Sequence, residues 1–166
     1  MDPALLIVFI IFQALLVGGL AIAVLYIFIF SFAGLFYRQK DYPANPKQHK
    51  IAVMIPGYKE DVVIREVAAD ALKQDYPKEF YDVVVIADTF MPDTIDYLKT
   101  LPIKVIEVKF DKSTKARALN RAMEVLPETY EIVVILDADN LMAPGFLAKI
   151  NASFSSGEVA IQGHRM

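Results

Sequence analysis

The chain has 166 residues, more than half of them apolar, with no cysteine, two histidines and a formal net charge of −3. That balance, and the lack of a basic stripe interleaved with aromatics, excludes a general nucleic-acid binder. Without thiols there are no disulfides or thiolate metal sites, and His49 and His164 fit no zinc spacing.

The first element is an apolar run over residues 4–37, interrupted only by Gln13, Ser31 and small residues. A helix of that length measures about 50 Å, against a hydrocarbon core of about 30 Å. The run predicts a transmembrane anchor over residues 1–37. A secretory signal fits poorly, because its apolar stretch is about half as long and follows a positive n-region, whereas Asp2 is the only charged side chain before this one. Gly18 and Gly19 near the middle leave a helical hairpin as the alternative, with arms at the short limit for spanning. Arg38, Lys40, Lys47 and Lys50 follow with no matching cluster ahead of the run. They predict an N-terminus outside the cell membrane and the rest of the chain in the cytoplasm. Residues 38–50, which include DYPANPK at 41–47, carry no apolar period and read as a juxtamembrane linker.

Residues 51–166 have the size of one domain. Strands are predicted at 51–55, 81–86, 103–108 and 131–136, with helices at 60–74, 92–100, 113–126 and 144–154, and a fifth strand starting at 159–161. Strands apolar at nearly every position, as 83–86 and 132–136 are, belong in a parallel sheet covered on both faces. Ala116, Leu119, Met123 and Leu126 form a 3.6-residue stripe that packs on that sheet.

In a parallel sheet the residues after each strand gather on one edge, where ligands bind. Pro56, Tyr58 and Glu60 follow the first strand, Asp88 the second, residues 111–115 the third, Asp137 and Asp139 the fourth. An ionised carboxylate only accepts hydrogen bonds, so Asp88 suits a nucleobase N–H; the alternative is a turn or N-cap residue. Tyr58 and Glu60 wall a base or ribose, or Glu60 is a first-turn charge on the following helix. Lys115 falls beside Ser113 and Thr114 in a helical first turn, where free N–H groups and the dipole favour phosphate; otherwise it is a solvated lysine. Arg117 and Arg121 read as exposed or paired with Glu124 and Glu128. Asp137 and Asp139 point the same way if the chain is extended there. They then share one Mg²⁺ or Mn²⁺, which in turn holds a diphosphate; the bland alternative is a polar strand end with a turn at Asp139 and Asn140.

Together IPGYKE at 55–60, VVVIAD at 83–88, KARALN at 115–120 and LDAD at 136–139 resemble the nucleotide-binding half of a family 2 glycosyltransferase with the GT-A fold. The resemblance implies a Rossmann-like, mostly parallel α/β sheet and a nucleotide-sugar-binding domain over 51–166. Behind a transmembrane helix, it is similar to the membrane-bound polysaccharide synthases of that family. It implies that Asp88 contacts the base, usually uracil, that Lys115 contacts the diphosphate, and that Asp137 and Asp139 bind the metal. Pro56, Tyr58 and Glu60 fall in the same substrate site. Three positions depart from the pattern: Lys59 where asparagine is frequent, Ala87 where a first aspartate is often found, and Thr114 where glycine often precedes the lysine.

Family members continue into an acceptor half with a general base and, in processive enzymes, a Gln-x-x-Arg-Trp stretch. Neither is present here, and the chain has no tryptophan. The catalytic base is therefore expected beyond this chain, which reads as an N-terminal fragment with Gln162, Gly163, His164 and Arg165 lining the approach to the site. The implied activity is inverting transfer from a nucleotide-diphosphate sugar, a UDP-sugar by the family's habit, to a glycan or lipid-linked acceptor. The alternative is a catalytically incomplete, membrane-tethered module that holds the sugar nucleotide. A dinucleotide oxidoreductase is disfavoured because no Gly-x-Gly-x-x-Gly follows the first strand. A receiver-like or flavodoxin-like domain would leave Lys115 and the anchor unexplained.

Overall fold

The structure is a computed structural model that describes residues 2–37, 42–43 and 46–163. It divides into two units, Met1–Asp41 and Tyr42–Met166. Arg38, Lys40 and Asp41 of the linker, and His164 and Arg165 of the expected approach, lie outside the described residues.

The first unit is one helix, α1, Pro3–Gly34. Its start is set locally: the Asp2 carboxylate accepts from the Ala4 N–H at 3.0 Å, and Pro3 takes the first helical position, where a missing N–H costs nothing. The helix runs unbroken through Gly18 and Gly19, which overturns the hairpin alternative. Two glycines cost about 2 kcal/mol of propensity, too little to break a largely apolar helix of 32 residues. Every described residue of α1 is exposed, and nothing in its own unit covers this apolar helix. It is long and apolar enough to cross a membrane.

The second unit holds four strands, β1 (Ile51–Tyr58), β2 (Tyr81–Asp88), β3 (Lys104–Val108) and β4 (Ile132–Ile135). All pairings are parallel and the order is β3-β2-β1-β4. Between and after them lie α2 (Ile64–Ala71), α3 (Pro92–Thr100), α4 (Lys115–Val125) and α5 (Phe146–Ser155), with a short 3-10 turn at Lys78–Phe80. Successive side chains of a strand face opposite sides. Ile51, Val53, Ile55, Val83 and Val85 thus join Ile64, Val67, Leu98, Leu147 and Ile150 of α2, α3 and α5 on one face. Ala52, Met54, Val84 and Ile86 meet Ala118 and Ala122 of α4 on the other. Small residues on α4 let that helix lie close over the strands.

The winding positions the site. The chain steps outward from β1 to β2 to β3 with α2 and α3 on one face, then crosses by α4 on the other face to β4, on the far side of β1. Between β1 and β4 the strand order reverses, and the carboxyl ends of strands flanking such a point leave a crevice.

Two expectations about the strands fail. Among the described residues there is no fifth strand: residues 159–161 are irregular, and Val159 is 90% exposed. Nor is β4 covered on both faces. Ile132 and Val134 are buried, but Val133 and Ile135 are 38% and 52% exposed. The reason is position in the sheet, since β4 pairs with β1 on one side only and α4 packs over β1 and β2 rather than over β4. A groove of about 750 Å³ lined by Val133, Ile135, Phe146, Phe154 and Ile161 runs along this edge.

The chain enters the domain by a pinned segment. The His49 N–H donates to Tyr76 Oη at 3.1 Å and to Asn151 Oδ1 at 3.0 Å, and the buried Asn151 amide donates to the Lys47 carbonyl at 2.9 Å. Glu131, just ahead of β4, takes His49 Nδ1 at 2.9 Å and Lys47 Nζ at 3.2 Å. Hydrogen bonds from His49 and then Lys47 hold this carboxyl at about 2, against an ordinary 4.5. These groups ring the amino ends of the strands, opposite the crevice.

Candidate functional site

Four loops leave the carboxyl ends of the strands, and the structure brings most of the predicted residues to one rim. A cleft with about 430 Å³ of empty space is lined by Pro56, Gly57 and Tyr58 of β1, by Asp88 of β2, and by Ser113, Thr114, Lys115 and Ala118 at the start of α4. Asp88 pairs in register with Tyr58, which puts the two side by side across the strand ends. Its side chain is 2% exposed and accepts from the Thr89 hydroxyl at 2.9 Å. A buried carboxylate with this single donor keeps acceptor capacity for another.

The backbone at the rim is bent in a matched way. Lys59 and Thr89 follow Tyr58 and Asp88, and both adopt positive φ, 55° and 58°. The ladder carries on through the bend, with Lys59 N–H donating to the Asp88 carbonyl at 3.1 Å and Thr89 N–H to the Val108 carbonyl at 3.2 Å. Left-handed conformations cost non-glycine residues about 1–2 kcal/mol, least for asparagine. This gives a physical account of why asparagine would suit the position that Lys59 holds. Gly57 is constrained from outside: a Cβ there would come within 2.6 Å of Cζ of the buried Phe90 ring.

The α4 side is set by capping. Thr114 is the N-cap, its hydroxyl accepting from Arg117 N–H at 3.2 Å, so Lys115 takes the first helical position. Threonine serves here where glycine would leave that N–H without a side-chain partner. The Lys115 ammonium reaches across to Oδ1 of Asp137. Arg121 pairs with Glu124 at 3.1 Å, while the Arg117 guanidinium turns back to the Lys112 carbonyl at 3.0 Å.

The two aspartates are carried differently from the expectation. Strand pairing ends at Ile135, and Leu136 N–H still reaches the Met54 carbonyl at 2.9 Å, but Asn140 N–H closes a turn on the Asp137 carbonyl at 3.0 Å. Asp139 therefore stands inside a β-turn, not on an extended chain. Asp137 and Asp139 are both exposed, on either side of the buried Ala138. The second oxygen of Asp137 accepts from the Asn140 amide at 3.4 Å. Glu60 lies apart from the cleft lining: it is exposed one turn ahead of α2, its carbonyl accepting from Ile64 N–H at 3.1 Å.

Several positioning residues have no signal in the sequence. Gln74, 5% exposed, donates to the Met142 and Ala143 carbonyls at 3.3 and 3.2 Å and accepts from Leu147 N–H at 3.3 Å. It ties down the segment that follows the aspartates. Ala118 also lines the cleft, hinted at only by its helical spacing from Thr114, and Phe90 packs against Gly57 from the core.

The profile of the family described as "Glycosyltransferase like family 2" matches residues 46–166. The chain belongs to that family. Among solved structures, this family 2 chain is similar to the mannosyltransferase PcManGT of Pyrobaculum calidifontis, solved in complex with GDP-Man and Mn²⁺. The two are 30% identical with a TM-score of 0.56, over 73% of this chain and 37% of that one. S. aureus TarS 1–349 shares the fold at 23% identity and a TM-score of 0.57, over 70% of this chain and 38% of that one. So does the M. tuberculosis glucosyl-3-phosphoglycerate synthase, at 22% and 0.51, over 66% and 42%. The chain thus spans well under half the length of these structures. None of the curated proteins compared with it matches.

Proposed function

We propose that the chain is the donor-binding part of a membrane-anchored, inverting glycosyltransferase. In this reading it holds a nucleotide-diphosphate sugar for transfer to a glycan or lipid-linked acceptor. The observation that carries the reading is the single cleft shared by Asp88 and Lys115 at the switch point, with Lys115 joined to Asp137. The GDP-Man and Mn²⁺ bound by the mannosyltransferase of the same fold support it.

Asp88 receives an N–H of the base where it lines the cleft. An acceptor-only carboxylate suits the ring N–H of uracil or of guanine, so Asp88 does not choose between UDP- and GDP-sugars. The Tyr58 ring and Pro56 give the base its apolar wall. Lys115 and the free N–H groups at the start of α4 take the diphosphate, where the helix dipole already favours negative charge.

A divalent ion fits the residues present. Two exposed carboxylates in one turn are too few for a protein-only cage, and among the described residues no group of three or more acidic or histidine ligands occurs. They match a Mg²⁺ or Mn²⁺ that completes its shell with phosphate oxygens and water. Bound there by Asp137 and Asp139, the ion would neutralise charge building on the leaving diphosphate. Lys115 does the same from the cleft side. The base that deprotonates the acceptor is assigned to no residue of this chain. α1 is the membrane anchor, with its N-terminus outside and the domain in the cytoplasm.

A thermal-shift panel on the full chain in detergent tests the reading with UDP-sugars, GDP-sugars and NAD, each with and without Mn²⁺. Nucleotide sugars with Mn²⁺ are expected to raise the Tm and NAD to leave it unchanged. A shift with NAD and none with any nucleotide sugar would overturn the proposal.

A further inference from the structure

Both oxygens of Asp137 are engaged by side chains of this chain: Oδ1 by the Lys115 ammonium and Oδ2 by the Asn140 amide at 3.4 Å. Lys115 also lines the cleft together with Asp88. From this juxtaposition we infer that Lys115 is a latch, occupying the metal-binding carboxylate until a diphosphate draws it into the cleft. Nucleotide and metal then bind as a pair rather than independently. The inference rests on the functional reading above and adds the coupling between its two ligands.

The latch is electrostatic. A divalent ion sits about 2.1 Å from a carboxylate oxygen and an ammonium about 2.8 Å from it, so the two on one oxygen stand within roughly 4 Å of each other. Like charges at that distance repel, so an ammonium already on Asp137 lowers what that carboxylate offers the ion. A diphosphate relieves this by giving the ammonium a better partner and leaving Asp137 Oδ1 to the ion. Lys115 and Asp137 are each about half exposed, so the latch is weak and reversible. A differential affinity of this kind is all that coupling between sites requires, and it is reciprocal.

The test is a Mn²⁺ titration of the full chain in detergent, followed by electron paramagnetic resonance of the free ion, with and without UDP or GDP. It compares wild type, Lys115→Met and Lys115→Arg. Removing the latch is expected to tighten Mn²⁺ binding without nucleotide by roughly threefold to fivefold, while weakening nucleotide binding. The gain in Mn²⁺ affinity on adding nucleotide should be retained in Lys115→Arg and reduced in Lys115→Met by about the same threefold to fivefold, since the phosphate oxygens still ligate the ion. If wild type binds Mn²⁺ and nucleotide but Lys115→Met binds Mn²⁺ alone no more tightly than wild type, the latch is refuted and the functional reading stands. If wild type binds neither ligand, both fall together.

Discussion

Gly57 and Lys59 show how narrowly the rim constrains single residues. A methyl group at Gly57 would collide with Phe90, whose ring is buried and has little room to give. Gly57→Ala is expected to lose about 1–3 kcal/mol of stability, read as a lower midpoint in urea, with weaker nucleotide binding; an unchanged midpoint would show that Phe90 moves freely. Lys59→Asn works the other way. It relieves the left-handed strain at φ 55° at the loss of an exposed contact between the Lys59 ammonium and the Tyr58 ring, 5.1 Å away. A net gain of about 0.5 kcal/mol is expected in the same denaturation measurement, and a loss would mean that the cation–ring contact outweighs the strain. Asp88→Ala removes a buried acceptor but no core volume to speak of, so it is expected to cost at least about tenfold in nucleotide affinity by calorimetry while the fold persists.

At the scale of elements, what the sequence made legible was whatever depends on local pattern. The continuous apolar run at 83–86 reads correctly as a parallel strand covered on both faces, while the equally apolar run at 132–136 gives the right strand direction but not its coverage. Pro92 marks the start of α3, but the stripe expected on α4 is half right: Leu119 and Leu126 pack on the sheet beside the buried Ala118 and Ala122, whereas Ala116 and Met123 are exposed. The gathering of Pro56, Tyr58, Asp88, Lys115 and Asp137 at one rim followed from parallel order alone. What was hidden depends on neighbours or on single dihedral angles. β4 reads like a central strand yet lies at an edge, because the missing partner is not a property of residues 132–135. The turn closed by Asn140, the left-handed Lys59 and Thr89, and the Gln74 tether are set by tertiary contacts. Gly145, at φ 72°, starts α5 two residues later than Pro144 suggested, by reversing the chain ahead of the helix.

The entry segment supplies a pH test at the same scale. Glu131 is held at about 2 by His49 and Lys47 against an ordinary 4.5, so it binds fewer protons folded than unfolded between those values. Its contribution is present in full above about pH 4.5 and fades as pH falls towards 2. Glu131→Gln is expected to lower the Tm at neutral pH, and the gap to wild type should close on acidification through that window. A gap that stays constant would show that the carboxylate does not anchor the segment.

For the molecule as a whole, α1 and the domain make separable claims. α1 exposes a uniformly apolar surface with no partner in its own unit, so the full chain is expected to resist alkaline extraction from membranes, and release into the supernatant would contradict the anchor. The domain's claim is that a nucleotide diphosphate and a divalent ion meet between the ends of β1 and β4. Calorimetry of UDP and GDP binding to the full chain in detergent, with and without Mn²⁺, tests this most directly when wild type is compared with Asp139→Ala. Mn²⁺-dependent binding in wild type, weakened at least about tenfold in Asp139→Ala, is the predicted result; equal affinity in the two proteins would contradict it.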